Sequence, residues 1–227
     1  MEKQLASYLR GVGLFSDLGT DALARVAQAC AFHQSAKDTH VLSEQERTTD
    51  VFVVLEGSVR VSSYSESGRE ITFSDIAAGG VFGEFSAVDG LPRSTSVIAL
   101  SDCKLARMPA ARFVALLRAD AGVAYRLIEL LVAKARSLSE RVFEVSALTL
   151  PARLRKELVR LAAAAPAQGR GVVIKPAPTH YEIAARIGSH REAVTRELSR
   201  MEQAGLLEIR RQEIHVVDVE RLRGVDD

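Results

Sequence analysis

Strands first and helices after: this order predicts an α+β protein. It would hold a small β-barrel of jelly-roll type over about residues 10 to 110, a long helix behind it, and a mostly helical module at the end. Three observations carry that expectation. Apolar residues alternate singly through VFVVLEGSVRV from Val51, and glycines 57, 68, 79 and 90 recur every eleven residues. Beyond Pro109 the apolar spacing changes to threes and fours. The expected domains are residues 1–120, 121–148 and 149–227.

The totals bound what such a chain can be. Its 227 residues, 47 % hydrophobic and 26 % charged, suffice for two ordinary globular domains and are unlike a disordered chain. No apolar run approaches the roughly eighteen residues of a membrane span. The amino terminus MEKQLASYLRGVG lacks the apolar core and cleavage site of a secretory signal, so the expected location is the cytoplasm. Cys30 and Cys103 stand in no metal or redox spacing, and the five histidines form no ligand pattern, so neither metal nor cofactor is expected. No nucleophile–base pairing and no Walker loop is present, which speaks against an enzyme. With 30 basic against 29 acidic residues the net charge is +1. Any binding to nucleic acid must then come from placement rather than bulk charge.

Taken in chain order, residues 3 to 30 look helical, with Asp17 or Thr20 as the cap in SDLGTDALARVAQAC. Val51, Val53 and Leu55, then Val59 and Val61 after Gly57, alternate with their neighbours, and the glycine interval fits short strands joined by turns. After Pro109, residues Ala121, Ala124, Ile128, Leu131, Ala135, Leu138, Val142 and Val145 follow at alternating intervals of three and four, an unbroken a/d seam. So narrow a stripe suits a parallel helix pair better than a helix lying on its own barrel. Its large apolar residues, at about 1.5–3 kcal/mol each on burial, outweigh an association cost of about 4–15 kcal/mol. A homodimer is expected, with Ile128, Leu131, Ala135, Leu138, Val142 and Val145 at the interface. The helix should end near Leu148. There Thr149 can cap, and Pro151 can enter the first turn of a second helix, PARLRKELVRLAAAA, with a hinge near residues 146–151.

The last stretch, THYEIAARIGSHREAVTRELSRMEQAGLLEIRRQEIHVV, carries a second pattern. Thr179 with Glu182 has capping-box spacing, Gly188 breaks the pattern, and Ser189 or His190 caps the next helix. Ile187, Val194, Leu198 and Met201 fall on one face of that helix, with Arg191, Glu192, Thr195, Arg196 and Ser199 on the other. This is a helix-turn-helix, and a hairpin turning near Arg211–Gln212 makes it winged, so double-stranded DNA is the expected partner. Arginine can bridge guanine O6 and N7, and glutamate can accept from cytosine N4. The plainer alternative is a solvated face held by an i,i+4 pair, Glu192–Arg196.

One stretch of the barrel departs from its apolar surroundings: FGEFSAVDGLPRSTS, Phe82 to Ser96. Gly83 lets backbone approach a ligand, and Glu84, Phe85 and Ser86 can open a short helix whose free N–H groups face an anion. Arg93 offers a fork for phosphate oxygens, Glu84 an acceptor for a sugar hydroxyl, and Ser94 a further hydrogen bond. Ribose and phosphate a few ångströms apart describe a cyclic nucleotide. An internal Glu84–Arg93 ion pair closing the loop accounts for the same residues equally well.

FGEFSAVDGLPRSTSV resembles the phosphate-binding cassette of cyclic-nucleotide-binding domains, and IGSHREAVTRELSRME resembles the recognition helix of the cyclic-AMP receptor family (CRP–FNR). Barrel, dimer helix and winged helix stand in that family's order, and the likeness spans nearly the whole chain. It implies a bacterial transcription regulator whose allosteric ligand is cyclic AMP or cyclic GMP. By that likeness Gly83 and Glu84 meet the ribose, Arg93 and Ser94 the cyclic phosphate, and Val61, Phe73 and Ile76 the base. Arg191, Glu192 and Arg196 would then read bases in TGTGA-like half-sites, with Thr179, His180 and Tyr181 near phosphates. The loop at 163–171 would be a contact for RNA polymerase. The chain departs from cyclic-AMP-responsive relatives at Leu138–Ser139, where they carry Thr-Ser reaching the adenine: leucine offers no hydrogen bond, Ser139 does. Another ligand such as cyclic di-GMP, or none, is the alternative; the regulatory module of a nucleotide-dependent enzyme is a weak one.

Overall fold

The computed structural model describes residues 2–165, 167–168 and 171–224. The chain divides into two compact units, residues 1–137 and 138–227, and the division falls inside one helix.

The first unit opens with α1 (Glu2–Leu9), a 3-10 turn (Gly13–Phe15) and α2 (Thr20–Gln28). The single helical stretch expected over residues 3 to 30 is therefore broken. Glycines 11, 13 and 19 add entropic cost to any helix running through them. The cap of α2 is Gly19, with no side-chain bond, and Thr20 is already helical. Asp17 does other work: its carboxylate accepts from Arg126 Nε and Nη2 at 2.9 and 3.2 Å.

Eight strands follow: β1 (Ala31–Ser35), β2 (His40–Leu42), β3 (Val51–Glu56), β4 (Ser58–Tyr64), β5 (Glu70–Ala77), β6 (Val81–Phe82), then after α3 (Glu84–Asp89) β7 (Ser96–Ala99) and β8 (Cys103–Met108). They form two antiparallel sheets, β1-β8-β3-β6 and β2-β7-β4-β5. Leu42, Phe52, Val54, Val97 and Leu105 meet between the sheets in one core. Val51, Val53 and Leu55 belong to a second core, with Phe15, Phe113 and Leu127 from the surrounding helices. The single-residue alternation of β3 thus separates two cores rather than core from solvent, and its first five residues are all buried. Glycines 57, 68, 79 and 90 all adopt positive φ, as turn glycines on an eleven-residue interval should. At Gly57 nothing larger fits: a Cβ would stand 2.5 Å from the Asp102 carbonyl oxygen.

After α4 (Ala110–Ala119), α5 runs Ala121–Ala147. Val123 and Leu127 are buried in the helix-covered core, and Leu131 packs partly against it. The exposed apolar side carries Tyr125, Ile128 and Val132, then Leu138, Val142, Phe143 and Val145. The expected seam is therefore displaced in its first half: Leu131 is partly taken up by the barrel, while Tyr125 and Val132 join the open face.

In the second unit α5 ends at Ala147, close to Leu148 as expected, and α6 (Leu150–Ala163) begins with Thr149 as its cap and Pro151 in its first turn. Beyond lie β9 (Ala167–Gln168), β10 (Gly171–Ile174), α7 (His180–Ile187), α8 (Arg191–Gln203), β11 (Leu207–Arg210), β12 (Glu213–Val216) and α9 (Val219–Arg223). The strands pair antiparallel in the order β11-β12-β10-β9. The wing turns at Arg211–Gln212, with Gln212 at φ 58°. Of the loop expected to meet polymerase, residues 166, 169 and 170 lie outside the described residues. Among those described, no helix is long and apolar enough to cross a membrane.

Candidate functional site

Two places in the fold concentrate unusual polar chemistry, one in each unit. In the first, β6 is followed directly by Gly83, which caps α3 at φ 81°, and Gly90 closes that helix at φ 73° before the chain reaches Arg93. Glu84 and Arg93 are both buried, 3 % and 2 % exposed. They do not pair with each other. Lys134 Nζ, from α5, donates to Glu84 Oε1 at 2.6 Å and lies 5.8 Å from the Phe85 ring centre. Arg93 is held by neutral acceptors: Nε donates to Thr48 Oγ1 at 3.0 Å, Nη1 to the Gly83 carbonyl at 3.0 Å, and Nη2 to the Asp50 carbonyl at 2.8 Å. The expected alternative, an internal Glu84–Arg93 ion pair, is overturned, because each group already has a nearer partner.

Burial lowers the pKa of Arg93, while the more distant carboxylates of Asp50, Glu46 and Glu84 pull it back up. A guanidinium has five N–H groups; one bond each from Nε, Nη1 and Nη2 leaves two N–H groups unused among the described residues. The backbone fixes this geometry too, since Gln45 N–H donates to the Arg93 carbonyl and Arg93 N–H to that of Glu46, at 2.8 and 2.9 Å. Gly83 has no room for a side chain: a Cβ would stand 2.8 Å from the Asp50 oxygen and 2.9 Å from Arg93 Nη1. Val61 and Ile76 pack half-buried against the inter-sheet core. Ser86 is buried, while Phe73, Phe85 and Ser94 are exposed. Leu138 and Ser139 lie in the other unit, both exposed on α5.

In the second unit Thr179 and Glu182 form the full capping box of α7, and Gly188 ends that helix in the left-handed conformation at φ 64°. Ile187 is the last residue of α7 and not part of the next helix, because Gly188 separates them. Ser189 does not cap α8 either: it is buried in the turn, its N–H bonded to the Ala184 carbonyl at 2.9 Å. His190 holds the cap position without a side-chain bond. Val194, Leu198 and Met201 are buried, which turns Arg191, Glu192, Thr195 and Arg196 outward. The expected Glu192–Arg196 pair does not form, and among the described residues the side chains of Arg191, Glu192 and Arg196 make no hydrogen bond or ion pair. Tyr181 is exposed at the start of α7. Thr195 Oγ1 donates to the Arg191 carbonyl at 2.9 Å, so at 2.8 Å it accepts from His180 Nδ1–H. Burial, and then Arg191, lower the pKa of His180. Two guanidiniums, a hydroxyl and a carboxylate on the exposed face of α8 can meet a surface of phosphates and base edges.

Sequence reasoning missed Lys134 as the partner of Glu84 and the carbonyl acceptors of Arg93. A lysine on a helix carries no signal of its own, and carbonyls have no letter.

Each of the two places falls within a stretch that matches a known family. The model of the cyclic nucleotide-binding domain matches residues 32–120, and that of the Crp-like helix-turn-helix domain residues 152–225. The cAMP-activated global transcriptional regulator CRP of Haemophilus influenzae is 26 % identical over 179 residues, 78 % of this chain and 80 % of that regulator. The CRP-like cAMP-activated global transcriptional regulator of Mycobacterium tuberculosis is 22 % identical over 215 residues, 94 % of this chain and 96 % of its own. Among solved structures, the c-di-GMP-responsive global regulator CLP of Xanthomonas campestris shares the fold, with a TM-score of 0.79 and 19 % identity over 87 % of this chain and 99 % of that one.

Proposed function

Because this chain belongs to the CRP/FNR family of transcription regulators, with a cyclic-nucleotide-binding domain and a Crp-like helix-turn-helix, we propose that a cyclic nucleotide bound at Gly83, Glu84 and Arg93 controls its grip on DNA. The chain is a DNA-binding regulator and not an enzyme, as its relatives are. The observation that carries the ligand reading is Arg93. A guanidinium 2 % exposed, hydrogen-bonded only to neutral acceptors and keeping two N–H groups unused among the described residues, is a costly arrangement that an arriving anion would relieve. A cyclic phosphate brings one negative charge and two exocyclic oxygens for that fork. Glu84 takes the ribose hydroxyl, Val61, Phe73 and Ile76 the base, with Phe85, Ser86 and Ser94 around the phosphate. Leu138 and Ser139 bear on the choice between cyclic AMP and cyclic GMP.

On DNA, Arg191, Glu192 and Arg196 read bases of a TGTGA-like inverted repeat, while Thr179, His180, Tyr181, Ser189, His190 and Thr195 lie along the backbone. Two copies pair through Ile128, Leu131, Ala135, Leu138, Val142 and Val145 in the cytoplasm, and the loop at 163–171 meets RNA polymerase. The domains of this reading are residues 1–120, 121–148 and 149–227. Ligand binding favours the dimer arrangement in which the two recognition helices stand about one DNA turn apart.

A second reading, DNA binding that needs no cyclic mononucleotide, is favoured by one observation: Lys134 already satisfies Glu84. Calorimetric titration with cyclic AMP, cyclic GMP and cyclic di-GMP separately, alongside affinity for a labelled inverted TGTGA repeat, decides between them. One mononucleotide is expected to bind and to tighten the DNA complex, and Arg93→Ala to abolish both effects. Heat from cyclic di-GMP alone, or DNA affinity indifferent to every nucleotide, would refute the first reading.

A further inference from the structure

The end of α5 takes no part in the apolar core of the second unit. That core is built from Leu154 and Leu158 of α6, Ile183 of α7, Leu198 of α8 and the small sheet, and among the described residues none between 138 and 147 belongs to it. Apart from Val145, whose methyl would lie 3.5 Å from a Cβ placed at Gly188, charge makes the connection. Glu144 on α5 and Glu157 on α6 are 6 % and 4 % exposed. Arg160 donates through Nη2 to Glu144 Oε1 and through Nη1 to Glu157 Oε2 at 3.1 Å, so one guanidinium bridges the two helices. Glu157 passes the link onward, its Oε1 accepting from Arg186 Nη1 of α7 at 3.3 Å. Lys156 Nζ stands 3.6 Å from Glu144 Oε1. Arg141, nearly one turn before Glu144, sits among the same groups: burial lowers its pKa and Glu157 pulls it back.

Apolar surfaces tolerate some rotation against each other, because no single contact is obligatory. A buried carboxylate must keep its hydrogen-bonded cation or stand desolvated and alone, which ties it to one geometry. Only Leu148 and Thr149 join α5 to α6, a joint with little of its own to prevent swinging. The geometry points to Glu144 and Arg160 as positioning residues that set the angle at which the end of α5 carries the helix-turn-helix, and hence the half-site spacing two copies accept on DNA. This rests on the homodimer reading above.

The test is a selection from randomised double-stranded DNA by the full chain, followed by sequencing of the half-sites and the spacing between them. The wild-type chain is expected to enrich paired half-sites at one dominant spacing. Glu144→Gln, which keeps the shape and loses the charge, and Arg160→Met, which leaves Lys156 to Glu144, should enrich the same half-site spread over neighbouring spacings. Arg160→Lys should recover part of the preference. Thermal midpoints measured alongside separate this from plain destabilisation, which weakens binding at every spacing alike. Variants that keep the single spacing, whatever their midpoints, overturn the positioning role and leave the homodimer intact. A wild-type chain that enriches only unpaired half-sites overturns the homodimer, and the positioning role with it.

Discussion

Arg93 and Glu84 are solved differently by the fold, although both are buried charges in one loop. Arg93 leans on carbonyls and a hydroxyl, Glu84 on an ammonium fifty residues along the chain. Breaking a buried pair leaves the remaining charge desolvated. Lys134→Met should therefore cost about 3 kcal/mol, the low end for such pairs because the lysine side chain is partly exposed. Urea denaturation measures the loss. Adding Glu84→Gln should return much of it, and a double variant no better than the single one would mean the two groups are not coupled. These two buried charges were legible in the sequence because each interrupts an apolar stretch with a residue that rarely lies inside unpaired. Their partners were not. Nothing local in AKARSL marks Lys134 as an ion-pair donor, and the acceptors at Gly83 and Asp50 are backbone.

Elements were legible wherever a short-range chemical rule governs them. Thr179 with Glu182, Gly188 and the Arg211–Gln212 turn all stand where capping and turn preferences put them. Elements were misread where a longer-range competitor decides: at the N-terminus glycines split the helix, and on α5 the barrel claims Val123 and Leu127 and shifts the open face toward Tyr125 and Val132. The wing shows how a strand is tied from outside its own ladder. Lys175 Nζ donates to Glu213 Oε1 at 2.6 Å, and His215 Nε2 lies 2.8 Å from Oε2. Lys175 first, then His215, push the Glu213 carboxyl down to about 2. A carboxyl depressed in the folded state adds stability above its unfolded value of 4.5 and loses it as pH falls toward 2. Glu213→Gln should accordingly flatten the fall of the thermal midpoint over that interval and shift it little only at pH 2 or below. An unchanged acid limb would show that the clamp does not contribute.

For the whole molecule, the change from a two-residue to a three-and-four spacing was enough to order barrel, long helix and helical module. It was not enough to show that the division into units falls within α5 itself, since the seam runs past residue 137 without interruption. That continuous stripe carries the association prediction. Val142, 65 % exposed on the isolated chain, should tolerate aspartate in the monomer and forbid the pair. Val142→Asp is expected to halve the mass seen by analytical ultracentrifugation and to leave a thermal midpoint that no longer depends on protein concentration; a variant that still sediments as a dimer would place the interface elsewhere. A last consequence follows from β3, which lies between β8 and β6 and is buried on both faces. Its amides have neither an edge nor a wet side through which to open, so only disassembly of the barrel frees them. In deuterium exchange Val51–Leu55 should be among the slowest amides of the first unit, a built-in clock whose rate reports global unfolding and against which any ligand-induced protection of the Glu84–Arg93 loop can be timed.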